Sequence, residues 1–378
     1  MRIILLGNYL PDRQQSMHRF ALMLQEGLEK AAVQTEIWYP TLLFGKLTKS
    51  TTSGLGKWLS YLDKWVVFSL LVWWRVNVSR RGEKDLRFHI CDHSNAPYLG
   101  VLPTDRTVIT CHDVLAIRGA LGHADAYCPA SKTGKIYQKW ILKHLTSARK
   151  IAAVTQTTLN QLQVLAPVNR QPEQRWLTIH NAFNAPFAPT VSTEAQHLLS
   201  RAGLQTDKPF ILYVGSDLPR KNRSMLLDMV AQLGDQWQGS ICYAGQAVEG
   251  RLVDHARKLN LQERVVSVAR PDHATLQALY SHCEALVFPS FSEGFGWPVI
   301  EAQACEAPVI SSTLAPMPEV SGGAALFADP TRPHEFARAL LTLQDARVRS
   351  QLIEQGRSNC TRFSDQAMIS AYLDLHHA

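Results

Sequence analysis

The sequence predicts an α/β protein built from two doubly wound domains. Along the 378 residues, short apolar segments typical of strands alternate with segments of helical periodicity. Apolar strands joined by helical crossovers indicate parallel sheets that are covered on both faces. A segment with several prolines, residues 181–208, separates two such series, and the chain length also favours two domains. Ligands are then expected at the carboxyl ends of the strands, in a cleft that the two domains face.

Each series contains six predicted strands. The strands are Arg2–Leu6, Thr35–Tyr39, Leu86–Cys91, Thr107–Cys111, Lys150–Val154 and Trp176–Ile179 in the first series, and Phe210–Val214, Gly239–Tyr243, Arg264–Val268, Ala285–Phe288, Pro308–Ser311 and Ala325–Phe327 in the second. Helical patterns include Ser16–Ala32, Lys132–Thr146, Thr155–Leu165 and Ser364–His377. We therefore expect an N-terminal domain over residues 1–185, a linker over 186–208, a C-terminal domain over 209–360, and a helix over 361–378 that crosses back to the N-terminal domain.

The charges are distributed unevenly. Residues 1–190 carry 23 basic and 12 acidic side chains, whereas residues 191–378 carry 16 basic and 20 acidic ones. A basic half predicts an anionic partner, and because no nucleic-acid module is recognisable we favour the acidic cytoplasmic face of a membrane over nucleic acid. The seven cysteines are scattered and form no C-x-x-C pair, which argues against a zinc ribbon and favours a reducing cytoplasm.

One segment bears directly on a membrane partner. Residues 57–81 contain four tryptophans flanked by lysines and arginines, around an uncharged core of ten residues, 65–74. That core is too short to span a bilayer, which takes about 20 residues. Two interpretations stay open, a buried helix and a helix that lies in the membrane interface.

The strongest local motif is the sequence PSFSEGFGWPVIEAQACEAPVI at residues 289–310. A strand leads into a glycine-bearing loop and then into a helix. Gly294 and Gly296 allow backbone N–H groups to approach a ligand closely. Glu293 and Glu301 can each accept hydrogen bonds from vicinal hydroxyls, and the helix N-terminus between them favours a phosphate. A capping turn with solvated glutamates explains the same residues equally well.

A second motif, GSDLPRKN at residues 215–222, follows an apolar strand and precedes a helix. Arg220 and Lys221 in this turn could clamp a diphosphate, since arginine offers a two-pronged contact. A solvated basic turn is the alternative.

Two further segments carry histidines at predicted strand ends. His112 and Asp113 close the segment TVITCHD, at the sheet edge where ligands of α/β proteins bind, although a structural hydrogen bond would explain the pair as well. The sequence FHICDHSN at residues 88–95 is similar to a zinc-peptidase pattern. That pattern requires a helix, and here the segment is strand-like, so we expect no metal site.

Taken together, these motifs resemble those of family 4 glycosyltransferases of the GT-B fold. The resemblance is strongest over residues 205–363, through YVGSDLPRKN, the block LYSHCEALVFPSFSEGFGWPVIEAQACEAPVISS with its E-x7-E spacing, and MPEVSGGAALFADP. It is thinner in the N-terminal half, where residues 1–19, TCHD, AAVTQTT and IHNAF carry it. The resemblance implies retaining transfer of a sugar from a UDP-, GDP- or ADP-sugar to a hydroxyl acceptor, with no metal and no cofactor. A sugar-nucleotide epimerase and a non-catalytic nucleotide-sugar-binding protein remain as alternatives.

The resemblance also implies roles for residues of the second half. Glu293 would bond the donor sugar, Glu301 the ribose diol, and Arg220 with Lys221 the leaving diphosphate. The full donor set that it implies is Gly215, Ser216, Arg220, Lys221, Glu293, Gly294, Phe295, Gly296 and Glu301. Two positions depart from the family pattern, because Ser216 stands where many members have arginine and Glu306 where glycine is usual.

In the first half, the resemblance places His112 beside the reacting carbon of the sugar, with Asp113 orienting it. The catalytic set is then His112, Asp113 and Glu293. On the acceptor side it points weakly to Gly7, Asn8 and His93. The family's second glycine near Gly7 is missing, so the acceptor is not predicted.

Overall fold

The computed structural model describes residues 1–47, 54–83, 85–166, 173–190, 193–205 and 207–378. These residues form two compact units, each with its own sheet. The N-terminal unit comprises Met1–Gly122, Pro129–Asn184 and Asp365–Ala378, and the C-terminal unit comprises His123–Cys128 and Ala185–Ser364.

Six parallel strands form the sheet of the N-terminal unit, in the order β2-β1-β3-β4-β5-β6. They are β1 (Arg2–Leu6), β2 (Gln34–Trp38), β3 (Leu86–Ile90), β4 (Thr107–Cys111), β5 (Lys150–Ala153) and β6 (Arg175–Thr178). The central strands are buried on both faces, as parallel sheets covered by helices require.

The C-terminal unit has six parallel strands in the order β12-β11-β10-β7-β8-β9. They are β7 (Phe210–Gly215), β8 (Ser240–Gly245), β9 (Val265–Ala269), β10 (Ala285–Phe288), β11 (Val309–Ser312) and β12 (Leu326–Ala328). The predicted fold class, two doubly wound parallel sheets, is confirmed.

The α-helices connect the strands and flank the sheets. In chain order they are α1 (Gln15–Lys30), α2 (Gly54–Leu62), α3 (Phe68–Trp74), α4 (Leu115–Leu121), α5 (Lys132–Thr146), α6 (Gln156–Leu165), α7 (Thr193–Arg201), α8 (Met225–Leu233), α9 (Arg251–Lys258), α10 (His273–His282), α11 (Trp297–Ala304), α12 (Met317–Ser321), α13 (Pro333–Thr342), α14 (Ala346–Cys360) and α15 (Asp365–His377).

This topology brings the predicted motifs together within each unit. Strands β7 and β10 are neighbours, so the loops after Gly215 and Phe288 leave the same edge of the C-terminal sheet. Strands β1, β3 and β4 are adjacent in the N-terminal sheet, and their carboxyl ends are followed by Gly7, Cys91 and His112. Both edges are the kind at which α/β proteins bind ligands.

The expected linker over residues 186–208 is not a simple linker. Its residues 193–201 form helix α7, and Ala195 and Leu199 are buried against Phe210 in the core of the C-terminal unit. The flanking prolines suggested a connection, but the amphipathic sequence TEAQHLLSR buries one face, and that burial stabilises a helix.

Helix α15 packs on the N-terminal sheet. A Cβ at Gly27 of α1 would lie 2.5 Å from the Ile369 side chain, so the glycine permits the close approach of the two helices. His376 Nε2 lies 3.1 Å from Nδ1 of His89, whose Nε2 lies 2.8 Å from the Thr110 hydroxyl. The isoleucine, threonine and both histidine side chains are buried.

Because these two histidines are buried, we expect acid to destabilise this unit. Burial lowers the pKa of His89 to about 3, and burial together with His89 and Lys150 holds that of His376 well below its ordinary value. The unfolded chain, with histidine pKa values of about 6.5, then binds more protons than the folded one, so the free energy of unfolding falls as pH falls below about 6.5. At pH 5 each neutral buried histidine should lower the free energy of unfolding by about 2 kcal/mol.

Urea unfolding at pH 8 and pH 5 measures this loss of stability. His376→Gln should shrink it and His123→Gln, at an exposed position, should not; an equal loss in both variants would contradict the assignment.

The tryptophan-rich segment has both a buried and an exposed face. Residues 54–79 form one helical run, in which α2 and α3 alternate with two stretches of π-helix. Phe68 and Val72 are fully buried in the N-terminal core. An opposite stripe is between 42% and 80% exposed and comprises Leu55, Trp58, Leu62, Val66, Leu70, Trp73 and Trp74. The buried-helix interpretation therefore holds for one face of the helix, and the opposite face is exposed.

No helix within the described ranges combines the length and the apolar character needed to cross a membrane.

Candidate active site

The basic turn after β7 is held rigidly against the loop after β10. Residues 219–221 form a short 3₁₀-helix that ends at Asn222, whose φ of 51° is left-handed. The Asn222 amide donates to the carbonyl oxygens of Pro289 at 3.2 Å and Pro330 at 2.8 Å. The Phe291 N–H donates to the Arg220 carbonyl at 2.8 Å. The turn is thus fixed relative to the glutamate-bearing loop before any ligand binds.

Arg220 and Lys221, both partly buried, form one charge cluster with the buried Glu293. Arg220 Nη1 lies 2.8 Å from Glu293 Oε2, and Lys221 Nζ lies 2.5 Å from Glu293 Oε1. Arg220 also donates to the Ser292 carbonyl at 2.8 Å. Burial alone would raise the pKa of Glu293, but Lys221 and Arg220 outweigh it and hold that pKa below its ordinary value. The cluster therefore combines one ionised carboxylate with two cations.

Helix α11 begins directly after this loop, as the sequence predicted. Gly296 has a φ of 101°, and a Cβ there would lie 2.8 Å from Met317 Cε, so only glycine fits without strain. The N-cap residue is Gly296 itself, which has no side chain to cap the helix, and Pro298 occupies the first turn. Phe295 is buried against Phe363, which fixes the path of the backbone between Gly294 and Gly296.

Glu301 projects from the second turn of α11 and is 5% exposed. The hydroxyl of Tyr280, on α10, donates to Glu301 Oε2 at 2.7 Å. Because the phenol is fully buried, this bond fixes the orientation of the carboxylate. Glu293 and Glu301 thus stand on either side of the helix start, the arrangement expected from the sequence.

A second polar cluster lies at the carboxyl edge of the N-terminal sheet. The Asn8 amide donates to Asp92 Oδ2 at 2.5 Å, and Asn8 Oδ1 accepts from Asn95 at 2.9 Å. His93 Nδ1 lies 3.2 Å from Asp92 Oδ1. Asn8 also donates to Gln14 at the start of α1. Of the predicted acceptor-side residues, the structure therefore brings Asn8 and His93 together through Asp92.

Gly7 has a packing role at this edge. A Cβ at this position would lie 2.5 Å from the Tyr39 ring, so a larger side chain would displace the aromatic group.

His112 is buried at the same edge, but Asp113 does not orient it. Its Nε2–H donates to the Cys91 carbonyl at 2.9 Å, and its ring edge meets Phe20. Asp113 instead accepts from the Leu115 N–H at 2.9 Å, a local contact at the start of α4. Burial lowers the pKa of His112, which therefore stays neutral with its Nε2 protonated. The expected orienting role of Asp113 is thus replaced by the Cys91 carbonyl.

The zinc-peptidase-like pattern is dispersed by the strand. His89 lies within β3 and points to α15, whereas His93 lies beyond the strand end. Within the described ranges, no group of three histidine, cysteine or carboxylate side chains is placed to hold a metal.

Comparison with known proteins identifies the class of this site. Residues 197–359, which contain the charge cluster and Glu301, match the family model described as glycosyl transferases group 1. The chain is 27% identical over 268 residues to O-antigen chain mannosyltransferase B of Escherichia coli, covering 69% of this chain and 67% of that protein. It is 26% identical over 287 residues to O-antigen chain mannosyltransferase RfbU of Salmonella typhimurium, covering 74% and 70%. The protein is a glycosyltransferase of the GT-B fold.

Solved structures bear out the fold over the whole chain. Sucrose-phosphate synthase from Thermosynechococcus elongatus matches with a TM-score of 0.74 at 19% identity, covering 100% of this chain and 98% of that one. Anabaena HepE in complex with UDP and glucose matches with a TM-score of 0.71 at 16% identity, covering 99% and 98%. WaaG, a glycosyltransferase involved in lipopolysaccharide biosynthesis, matches with a TM-score of 0.71 at 15% identity, covering 99% of each chain.

The candidate site includes residues that the sequence analysis did not single out. Asn222 and Arg223 directly follow the predicted cations. Arg223 is 5% exposed and donates to the Gln246 carbonyl at 2.9 Å, so it anchors the turn. Tyr280 and Asp92 orient predicted residues. A basic run R-K-N-R after a strand could have suggested Asn222 and Arg223, but nothing local in the sequence links Tyr280 to Glu301.

Gly215 and Ser216 form the entry to the basic turn of the glycosyltransferase. A Cβ at Gly215 would lie 2.8 Å from the Tyr213 hydroxyl, which donates to the Ser216 carbonyl at 3.2 Å. Ser216 therefore contributes its backbone carbonyl to the turn.

Glu301 should act through nucleotide binding. Replacing it by Ala removes a buried carboxylate that can accept two hydroxyl hydrogen bonds, and we expect roughly 10- to 100-fold weaker binding of the free nucleoside diphosphate. Isothermal titration calorimetry measures this affinity. Glu306→Ala, which removes a more exposed carboxylate bonded to Arg357 just beyond α11, is the matched control. Equal affinities of Glu301→Ala and the control would refute the role.

Proposed function

We propose that this glycosyltransferase moves a sugar from a nucleoside-diphosphate donor to a hydroxyl acceptor with retention of anomeric configuration, as a member of family 4. One observation carries the proposal: Arg220 and Lys221 are fixed beside Glu293 and the N-terminus of α11, at the carboxyl edge of β7 and β10. Two rigid cations beside a helix N-terminus suit a diphosphate, and the neighbouring carboxylates suit the sugar hydroxyls on its two sides.

In the proposed reaction, the bond between the sugar's anomeric carbon and the diphosphate oxygen breaks as the acceptor oxygen bonds to that carbon. The bonding electrons leave with the diphosphate, so negative charge develops on its oxygens. Arg220 and Lys221 are positioned to stabilise that charge, and stabilisation of this kind is usually the largest catalytic contribution. The proton of the acceptor hydroxyl passes to the departing phosphate oxygen on the same face. This scheme needs neither a metal nor a carboxylate nucleophile.

Glu293 has two successive partners in this scheme. Without donor, its carboxylate is bonded to both cations, which partly neutralises them. A bound diphosphate competes for Arg220 and Lys221, and the carboxylate oxygens can then accept the hydroxyls of the sugar. The cluster thus holds the cations in place at moderate net charge until the diphosphate binds.

His112 is proposed to bind a sugar hydroxyl at the carboxyl edge of the N-terminal sheet. Its Nε2–H is used by the Cys91 carbonyl, so the neutral Nδ1 is the nitrogen that can accept a hydroxyl hydrogen bond. Asn8, Asp92 and His93 lie at the same sheet edge and are proposed to bind acceptor hydroxyls.

The comparisons favour a hexose donor and a glycan acceptor. The two curated relatives are named as O-antigen chain mannosyltransferases, and the similar HepE structure holds UDP and glucose. We propose mannose as the sugar, with a growing bacterial surface glycan as the acceptor. The proposed location is cytoplasmic, where nucleotide sugars and reduced cysteines coexist.

An anionic membrane surface is the proposed second partner. The exposed stripe of the 54–79 helix carries large apolar side chains, and two partly buried basic residues, Lys57 and Arg75, lie in the same helical run. Such a composition suits an interfacial helix. A basic residue near an anionic surface contributes about 1 kcal/mol, and the contribution is screened by salt.

This surface predicts salt-sensitive vesicle binding. The protein should sediment with phosphatidylglycerol-containing vesicles at low salt and be released at high salt. Leu70→Ser with Trp74→Ala should weaken binding more than tenfold, because two exposed side chains lose roughly 2 to 3 kcal/mol of apolar burial. Val164→Ser, at an exposed apolar position on α6, should bind as the wild type does. Vesicle binding that is absent at low salt, or that the double variant leaves unchanged, would rule this surface out.

The proposed function is tested by a donor panel. UDP-, GDP- and ADP-sugars are compared by thermal shift, since a ligand at a hundred times its Kd stabilises the folded state by roughly 2.7 kcal/mol. The stabilising donor is then incubated with mannose-containing oligosaccharides, with and without EDTA. We expect one donor class to stabilise the protein and transfer to persist in EDTA. Complete loss in EDTA that one divalent ion restores would overturn metal independence, and stabilisation by no donor would overturn the function.

A further inference from the structure

A cavity of about 560 Å³ lies at the amino-terminal edge of the N-terminal sheet. Its walls include Trp73, Arg80, Arg81, Phe88, Val101 and Arg106. The segments that supply them lead into the starts of β3 and β4. The polar cluster of Asn8 and Asp92 follows strand ends at the opposite edge. This cavity, called the Arg80 cavity below, is therefore separate from the sugar-binding edge of the same unit.

The Arg80 cavity is cationic. Three arginines and one carboxylate, Glu83, line it, and Arg80 is paired with Glu36 outside the lining, so the excess positive charge rests on Arg81 and Arg106. Arg106 Nη1 lies 3.5 Å from the Glu83 backbone carbonyl. This contact does not involve the Glu83 carboxylate. Like charges that converge on one cavity repel each other, and a bound anion would relieve that repulsion.

One arginine in the cavity has an unused donor. Arg80 Nη2 is bonded to Glu36 at 2.8 Å, and its guanidinium lies over the Trp38 ring. Its Nη1 is buried and has no hydrogen-bond partner among the residues that the structure describes. A buried unpaired donor costs free energy, so a ligand oxygen that accepts from it would bind favourably. Glu36 and Trp38 hold the guanidinium in place, which makes this donor pre-organised.

The rest of the lining indicates what the anion is attached to. Trp73, Val76, Phe88 and Val101 give the cavity an apolar wall beside its arginines. Guanidinium groups suit phosphate oxygens through two-pronged contacts, and a wall of this kind suits an apolar or partly apolar body. Trp73 also belongs to the exposed stripe of the 54–79 helix, so the cavity adjoins the proposed membrane-facing surface.

We propose that the Arg80 cavity is a second anion site that binds the phosphate group of a phosphate ester. The ester is either the headgroup of an anionic lipid or a soluble phosphate ester. This proposal does not rest on the transfer reaction, because no donor-binding residue lines the cavity.

Calorimetry with two probes tests whether the cavity binds a phosphate ester and whether that ester is a lipid or a soluble molecule. Dihexanoyl phosphatidate carries the phosphate on an apolar body, and glycerol phosphate carries it without one. The protein is first saturated with the nucleoside diphosphate that stabilises it most, so that the Arg220–Lys221 turn is occupied. We expect saturable binding of phosphatidate to one site. Tighter binding of phosphatidate than of glycerol phosphate identifies a lipid source, and equal binding identifies a soluble ester.

Charge variants locate the binding. Arg81→Gln with Arg106→Gln should weaken the binding of phosphatidate at least about tenfold, since two charge-assisted contacts are lost. Arg106→Lys alone should weaken it less. Arg175→Gln, at an exposed position at the start of β6, should leave it unchanged and controls for the loss of a positive charge outside the cavity. Absence of saturable binding, or equal weakening in the double variant and in Arg175→Gln, would overturn the proposal. Unchanged donor binding in the double variant keeps this outcome distinct from a failure of the donor site.

Discussion

Lys221→Ala should lower kcat by about 10²- to 10³-fold, the size of effect seen when one pre-organised group that stabilises developing charge is removed. The Lys221 ammonium lies 2.5 Å from the Glu293 carboxylate in the free protein. In our scheme it exchanges this partner for the leaving diphosphate. The turn itself should survive the change, because Asn222 and the Phe291 N–H hold it through contacts that do not involve the lysine side chain. Steady-state kinetics with the donor identified in the panel measures the effect.

Lys258→Ala provides the control for the loss of one positive charge. Lys258 is exposed at the end of α9, in the same unit, and its removal should change kcat less than twofold. If Lys221→Ala and Lys258→Ala have the same kcat, Lys221 does not stabilise the leaving group. Circular dichroism at the assay temperature checks that both variants are folded.

Glu293→Gln should bind the free nucleoside diphosphate more tightly and turn over more slowly. The carboxylate neutralises part of the charge of Arg220 and Lys221, so its removal leaves two partly buried, unneutralised cations that a diphosphate would compensate. We expect affinity for the nucleoside diphosphate to rise roughly tenfold, because the carboxylate no longer competes for the cations and binding gains about 1 to 2 kcal/mol. Turnover should fall because the amide accepts sugar hydroxyls less strongly than a carboxylate does.

The opposite movement of affinity and rate separates this account from a structural role. A residue that only supports the loop would lower both quantities together. Glu263→Gln, at an exposed position before β9, is the isosteric control and should leave both unchanged. Weaker binding of the nucleoside diphosphate by Glu293→Gln would show that the carboxylate positions the cations rather than competing with the ligand.

The positions of the strands along the chain were largely predictable from the sequence. Every predicted strand lies within two residues of an observed one, because buried parallel strands are short apolar runs bounded by turn residues. Helix α7 was missed since its single buried face, with Ala195 and Leu199, is short and lies between prolines. The segment 123–128 was assigned to the N-terminal domain, but it belongs to the C-terminal unit, where Tyr127 stacks on Phe291 at 4.7 Å.

The residues proposed for the donor side could be singled out from the sequence because they lie within two short motifs. Their interactions were not. The bonding of Glu293 to Arg220 and Lys221 depends on the adjacency of β7 and β10, which no local pattern encodes. Glu306 shows the reverse case: its φ of 62° explains why glycine is usual at that position, and its ion pair with Arg357 accompanies the departure.

The most direct measurement is a ¹H NMR time course of the wild-type protein with the stabilising nucleotide sugar and an oligosaccharide acceptor. We predict that the donor's anomeric signal disappears, that free nucleoside diphosphate appears in equal amount, and that a new glycosidic signal arises with the donor's anomeric configuration. The same mixture without acceptor should change far more slowly. Conversion of the donor into another nucleotide sugar without acceptor would instead show an epimerase, and an inverted glycosidic signal would contradict retention. A donor that binds but stays unchanged with every acceptor would leave a binding protein in place of the transferase.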